Sequence, residues 1–314
     1  MRKRKSPVKN LTKFLIPAAA IITTAIISCT GQTRNTFTFN PAERSSNTLV
    51  VWAHSDIQPK RISQRSYYES AIADTKNTFK KIDIALTAGN IIFYRDSAET
   101  YRWYLEQKKI LAIPQWYEIS GNTDMNDIAN FSKMVRKDTH YAAKAGNIVF
   151  LFMGDEDGEP SQYISDSTFR WWKKNVETAR EKIIITVTHG CLEQSGLFGS
   201  ISPDSTIRNS RRFAEVLKKH RVDIWISGGT HIPNFFNGKM KVREELGGTL
   251  FLNAASILKE LPSGVESAFL VFREGSRECL VTLRNHEYKR FDRKQDIIHT
   301  LSRPFIRIET NRRN

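Results

Sequence analysis

Five apolar, β-branched runs in this chain each end in a short polar segment built from Gly, Asn, Asp, His and Ser. The segments are Ser55-Asp56-Ile57-Gln58, Ala88-Gly89-Asn90, Gly121-Asn122-Thr123-Asp124, Thr188-His189-Gly190 and Gly228-Gly229-Thr230-His231. The runs before them, with a further one at 147–153, read as strands. Stretches of helical character separate them at 63–80, 98–109, 167–180 and 207–220. In the last, Ile207, Phe213, Val216 and Leu217 share one face and Arg211, Arg212, Lys218 and Lys219 the other. Strand and helix in alternation predict an α/β sheet with helices outside it. In such sheets ligands gather just past the carboxyl ends of the strands. Asp56, Asn90, Asn122, His189 and His231 all fall there, which predicts one common site. After Gly247-Gly248 the pattern changes to consecutive strands at 249–253, 268–273 and 278–285, predicting an antiparallel edge.

The start of the chain belongs to a different problem. Arg2, Lys3, Arg4, Lys5, Lys9 and Lys13 form a basic leader, and residues 14–28 are apolar and small. A charged leader with a short apolar run reads as a secretory signal over residues 1–28. The run is shorter than the roughly 20 residues of a spanning helix. Its end, Ile26-Ile27-Ser28-Cys29, resembles a bacterial lipobox. That resemblance implies a lipid on Cys29 and an exported protein anchored in the membrane of a bacterial cell envelope. The alternative is a signal-anchor helix with an unmodified Cys29. Residues 29–47, polar and without periodicity, read as a flexible tether. The domain is then expected over 48–290 and a basic tail over 291–314.

The 48 basic and 33 acidic side chains give a net charge of +15, and the six basic residues of the leader account for part of it. The rest suits either a basic face near an anionic membrane or attraction of anionic ligands such as phosphate esters. No nucleic-acid-binding motif is present. Past Cys29 only Cys191 and Cys279 remain. Their number excludes a disulfide framework and a four-cysteine zinc site, and their spacing leaves pairing open.

The five polar segments resemble, in order and spacing, the motifs of the calcineurin-like metallophosphoesterases from Leu49 to about Arg284. That family clamps a phosphate between two divalent cations roughly 3.5–4 Å apart. Its motifs are Asp-x-His, Gly-Asp, Gly-Asn-His-Asp/Glu, His and Gly-His-x-His. The resemblance implies an αββα sandwich of two packed mixed sheets. It makes Asp56, Gln58, Asn90, Asn122, His189 and His231 the candidate metal ligands, with Asp124 supporting them from behind. Several positions depart from the pattern. Gln58 replaces a histidine. Asn90 replaces the aspartate that bridges both cations, removing a charge worth about 4 kcal/mol at 4 Å and an effective dielectric of 20. Thr123 stands where the family has the histidine that assists the leaving group. Gly229 replaces a further histidine ligand. Asp56 is left as the one anionic ligand, so a single weakly held ion of the Mn, Fe, Zn or Mg class is expected rather than two, with none at all as the limit.

Two functional readings follow. One is a metal-dependent phosphoesterase, acting on phosphate mono- or diesters, with an eroded site. The other is a catalytically inactive relative that binds an anionic ligand or a protein partner at the cell envelope. Other features give structural readings. His54 is expected to pack in the core, Asp155-Glu156-Asp157 to form an acidic turn without EF-hand spacing, and Trp103-Tyr104 and Trp171-Trp172 to anchor the core. Cys191, close to His189 in sequence, has no established geometry as a nucleophile, and Ser195-Gly196 lacks the context of a nucleophile elbow.

Overall fold

A computed structural model describes residues 37–307, apart from 38, 44, 96, 159–161 and 260–263. The leader and Cys29 lie outside the described residues. The elements in chain order begin with β1 (Thr48–His54), α1 (Arg65–Thr78), β2 (Ile84–Ala88), α2 (Ala98–Leu111), β3 (Gln115–Ile119) and α3 (Ile128–Met134). Then come β4 (His140–Ala145), β5 (Ile148–Met153), α4 (Asp166–Thr178), β6 (Ile183–Thr188), α5 (Arg211–Leu217) and β7 (Ile224–Ser227). The remainder is β8 (Met240–Arg243), β9 (Thr249–Asn253), β10 (Glu266–Arg273), β11 (Glu278–Asn285), β12 (Arg290–Phe291) and β13 (Ile297–Thr300).

Two mixed sheets stack face to face. One runs β12-β11-β10-β1-β2-β3 with β13 on β11, the other β4-β5-β6-β7-β9-β8. The central strands β1, β2, β5, β6, β7 and β9 are buried along their whole length. That explains why they read as continuous apolar runs instead of alternating ones. Their two faces serve different layers. Val51 and Ala53 of β1 meet Phe150, Phe152 and Val187 between the sheets. Val50 and Trp52 turn outward onto Tyr68 and Ile72 of α1 and Tyr101 and Tyr104 of α2. Leu151 and Trp225 turn the opposite way onto Trp172 of α4 and Phe213 of α5. Helix–sheet–sheet–helix is therefore the layer order, as expected. Among the described residues no helix is long and apolar enough to cross a membrane.

Three expectations need correction. The helix read at 98–109 runs on to Leu111 and ends on Ala112 in the left-handed region (φ 48°), so the strand before Gly121 begins only at Gln115. The run 249–253 does not join the antiparallel edge. β9 lies parallel to β7 in one sheet, whereas β10 and β11 pair antiparallel in the other. The chain changes sheet between them, because β10 fills the position beside β1. The expected boundaries at 47 and 290 also move outward. Phe37 is buried under the Arg273 guanidinium, 4.3 Å from its ring centroid, so the domain begins before Thr48. At the other end β13 pairs with β11, and Leu301 and Phe305 are fully buried in the inter-sheet core.

A buried polar network pins α1 to the sheet. Arg284 donates from Nε and Nη2 to the two carboxylate oxygens of Asp74, both at 2.7 Å. His286 Nδ1 stands 2.8 Å from Asp74 Oδ2 and its Nε2 2.7 Å from Ser267 Oγ, which also accepts from Trp52 Nε1 at 2.8 Å. The Asp–His–Ser order is that of a hydrolytic triad, but Ser267 is fully buried in β10, so the network holds structure rather than substrate.

Candidate active site

The local backbone builds the site before any side chain does. Asp56, Asn90 and His231 each follow a strand and each has a positive φ (54°, 58° and 44°). That conformation is costly for a residue with a Cβ and persists where neighbours over-determine it. Here the Asp56 amide donates to Gly89 O, and the Ile57 and Gln58 amides both donate to Asn90 O. The ends of β1 and β2 are thereby stitched into one rim. Asp124, fully buried, gathers the end of β3 to the same place by accepting from the amides of Asn90 (2.8 Å), Ile91 (3.0 Å), Ile92 (3.2 Å) and Gly121 (2.9 Å). Burial pushes its carboxyl up to about 6 against those amides. Asp124 therefore organises backbone and points away from the pocket.

The six predicted residues come together. Gln58, Asn90, Asn122, His189 and His231 line a single cavity of about 230 Å³, and Asp56 lies at its floor through His231. His189 Nδ1 donates to Ala88 O at 2.7 Å, which turns Nε2 to Asn122 Oδ1, 3.1 Å away. His231 Nε2 stands 3.3 Å from Asp56 Oδ1 and 3.2 Å from Gln58 Nε2. Burial alone would raise the Asp56 carboxyl, but the charge and hydrogen bond of His231, the nearby His189 and the Gly229 amide hold it down at about 2.

The donors around Asp56 decide what the site can hold. Thr123 N–H donates to Asn90 Oδ1 at 3.1 Å, which fixes the amide orientation and turns Asn90 Nδ2 onto Asp56 Oδ1 at 3.2 Å. Asp56 Oδ2 accepts from Gly229 N at 3.0 Å and Ser55 Oγ at 2.9 Å. Protons thus occupy the directions in which a carboxylate would face a cation. Gly229 offers no side chain, and a Cβ there would lie 3.0 Å from His189 Nε2. The Thr123 hydroxyl donates to Ile92 O at 2.6 Å and stands 3.3 Å from Gln58 Oε1, so it props the wall. No group of three or more His, Cys, Asp or Glu side chains able to hold a metal occurs among the described residues. The donor set does not fit a two-cation centre.

Sequence reasoning missed Lys60, Phe93, Gln162, Asp204 and Ser205, which also line the cavity. Lys60 and Phe93 follow Asp56 and Asn90 by four and three residues, and that proximity was the available signal. Lys60 Nζ lies over the Phe93 ring, 4.6 Å from its centroid. The remaining candidates have structural roles. His54 is fully buried, stacked on Trp52 and within 3.2 Å of Thr87 Oγ1, its basicity lowered to about 3 by burial. Cys191 and Cys279 are both free and buried, and burial pushes the Cys191 thiol up to about 12, far from a nucleophile's range.

A calcineurin-like phosphoesterase family model matches residues 49–233, more than half of the chain. The chain belongs to that family. Among solved structures, a purple acid phosphatase from yellow lupin (Lupinus luteus) seeds superposes with a TM-score of 0.56 at 14% identity. The match covers 80% of this chain and 53% of that one, so this chain spans about half the lupin protein's length. GAP50, the anchor in the inner membrane complex of Plasmodium, superposes with a TM-score of 0.58 at 12% identity, covering 82% and 90%. At such identities these likenesses show the fold alone. No curated protein matched the sequence.

Proposed function

We propose that this protein binds a phosphate-bearing ligand at the rim of its sheets and does not carry out two-metal hydrolysis. The Asn90 amide carries the argument: it donates into Asp56, the one carboxylate among the candidate ligands, where the family's bridging aspartate would share two cations. What remains suits an anion. Lys60 supplies a cationic nitrogen, His189 and His231 present imidazoles, Gln58 and Asn122 supply amides, Asp204 is the acidic group among the described lining residues, and the cavity has room for a phosphate group and its first substituent. This chain's residues can bind and orient such a group. Thr123, at the position of the family's general acid, does not replace it, because its hydroxyl already donates to Ile92 O.

The same reading puts the domain at the cell envelope. The basic leader, the apolar run and Cys29 support export and a lipid anchor. Eight residue steps separate Cys29 from Phe37, the first residue buried in the domain. At ~3.5 Å per step, such a tether reaches at most roughly 30 Å from its lipid. A named anchoring role for the Plasmodium protein of this fold is in keeping with a non-catalytic use.

Purified full-length protein is expected to contain well under one transition-metal ion per chain by elemental analysis. It should not turn over bis(p-nitrophenyl) phosphate with added manganese. Turnover that Asp56→Ala or His231→Ala abolishes would overturn the proposal. Asn90→Asp supplies the positive control. It sets two carboxylates about one hydrogen bond apart, so a cation or a proton must lie between them. Manganese affinity by calorimetry is expected to rise at least ~10-fold over the parent, since even half of the ~4 kcal/mol Coulomb term exceeds one decade.

A further inference from the structure

Two loops beside the pocket carry large apolar side chains into solvent. The first, past β6, supplies Ser205 to the pocket wall and holds Phe198 and Ile201, the latter 87% exposed. The second, past β7, supplies Gly229 and His231 and holds Phe235, 75% exposed, and Phe236. The loops are fastened together. Phe198 N donates to Gly238 O at 2.8 Å, the Phe198 and Phe236 rings lie 4.5 Å apart, and a Cβ on Gly199 would touch Thr230 at 3.6 Å. Across the mouth, Phe93 lines the pocket and packs edge-on against the exposed Tyr94 at 4.8 Å. Exposed apolar groups scattered singly need no explanation, but several on the loops that wall one polar pocket do.

We propose that the ligand of this site is an amphiphile: a phosphate ester of a long-chain alcohol, its anionic head in the pocket and its chain laid over Phe198, Ile201, Phe235 and Phe236. The inference rests on the phosphate-binding reading above. The head follows from that reading: Lys60 and the Gln58 and Asn122 amides line the cavity, Asp204 is the carboxylate among its described lining residues, and Asp56 behind it is covered by donors. Continuity of the loops with the pocket chooses the tail. A ligand of this kind covers the apolar side chains in the same event that fills the pocket, and each methylene laid on them adds to affinity. A free phosphate or a small polar ester would leave them in water.

The test is calorimetry on the full chain held in amphipol, with methyl, hexyl and decyl phosphate below their micelle-forming concentrations and decyl maltoside as the neutral control. Affinity is expected to rise at least tenfold from methyl to decyl phosphate, with the maltoside bound far more weakly than decyl phosphate. Ile201→Ser combined with Phe235→Ser alters two side chains mostly in solvent. It should remove the gain with chain length and leave methyl phosphate binding unchanged. Equal affinities along the series, equal binding of the maltoside, or a variant that keeps the gain would overturn the proposal. Failure of methyl phosphate to bind, with decyl phosphate bound no better than the maltoside, would instead sink the phosphate-binding reading itself.

Discussion

Replacing Gly121 with alanine is expected to unfold the site and destabilise the domain by about 3 kcal/mol or more. A Cβ at this position would lie 2.2 Å from Asn90 Oδ1 and 2.7 Å from Asn90 N. The second contact is to backbone and cannot be relieved by a rotamer change. The ends of β2 and β3 would have to part, and with them the Thr123 N–H to Asn90 Oδ1 bond that orients the amide. Thermal unfolding should show a drop in Tm on the order of 10 °C, and methyl phosphate binding should be lost. Gly275→Ala is the control. Gly275 has a φ of 75°, but a Cβ there would meet nothing within 4 Å, so its cost is the backbone penalty alone, about 1 kcal/mol. Similar losses from the two changes would mean that crowding at Gly121 is not what matters.

Asp74→Asn should cost on the order of 3–5 kcal/mol, because it leaves the Arg284 guanidinium buried without a counter-charge. Replacing both partners, Asp74→Leu with Arg284→Met, is expected to be milder than the single change. Denaturant melts of the three proteins check this, and a double variant worse than Asp74→Asn would refute it. The pH dependence follows from the same pair. Burial pushes the Asp74 carboxyl up, but hydrogen bonds from His286 and Arg284, and their charges, outweigh it and hold it at about 2, below its ordinary 3.8. The unfolded chain therefore takes up the proton first as pH falls. The stabilisation is complete above about pH 4 and is lost as pH drops through 2, amounting to about 2 kcal/mol. The parent should lose that increment between about pH 4 and 2, and Asp74→Asn should not.

Much of the architecture was legible because burial on both faces leaves a local signature. β9 and β11 have the bounds their apolar runs imply, and the polar segments after β1, β2, β3, β6 and β7 mark one edge of the sandwich. Elements with weak local signals were not legible. β4 alternates between half-buried and exposed positions, β8 is four residues long, and β13 lies in a stretch of charged residues that reads as a tail. The partner of β9 could not be read either, since a strand's apolar pattern says that it is covered but not by which sheet.

The amino-acid sequence by itself determined the alternating architecture, the shared edge on which Asp56, Asn90, Asn122, His189 and His231 fall, and the shortage of negative charge among them. Only the tertiary structure decided what those groups do to one another. Asn90 and Asp56 are 34 residues apart and Gly229 and Asp56 173 apart, yet it is their hydrogen bonds that set an amide N–H and a backbone N–H on the carboxylate. Periodicity records how deeply a residue is buried along its own strand. The direction of an amide is set by partners that arrive from other strands, and no local pattern carries it.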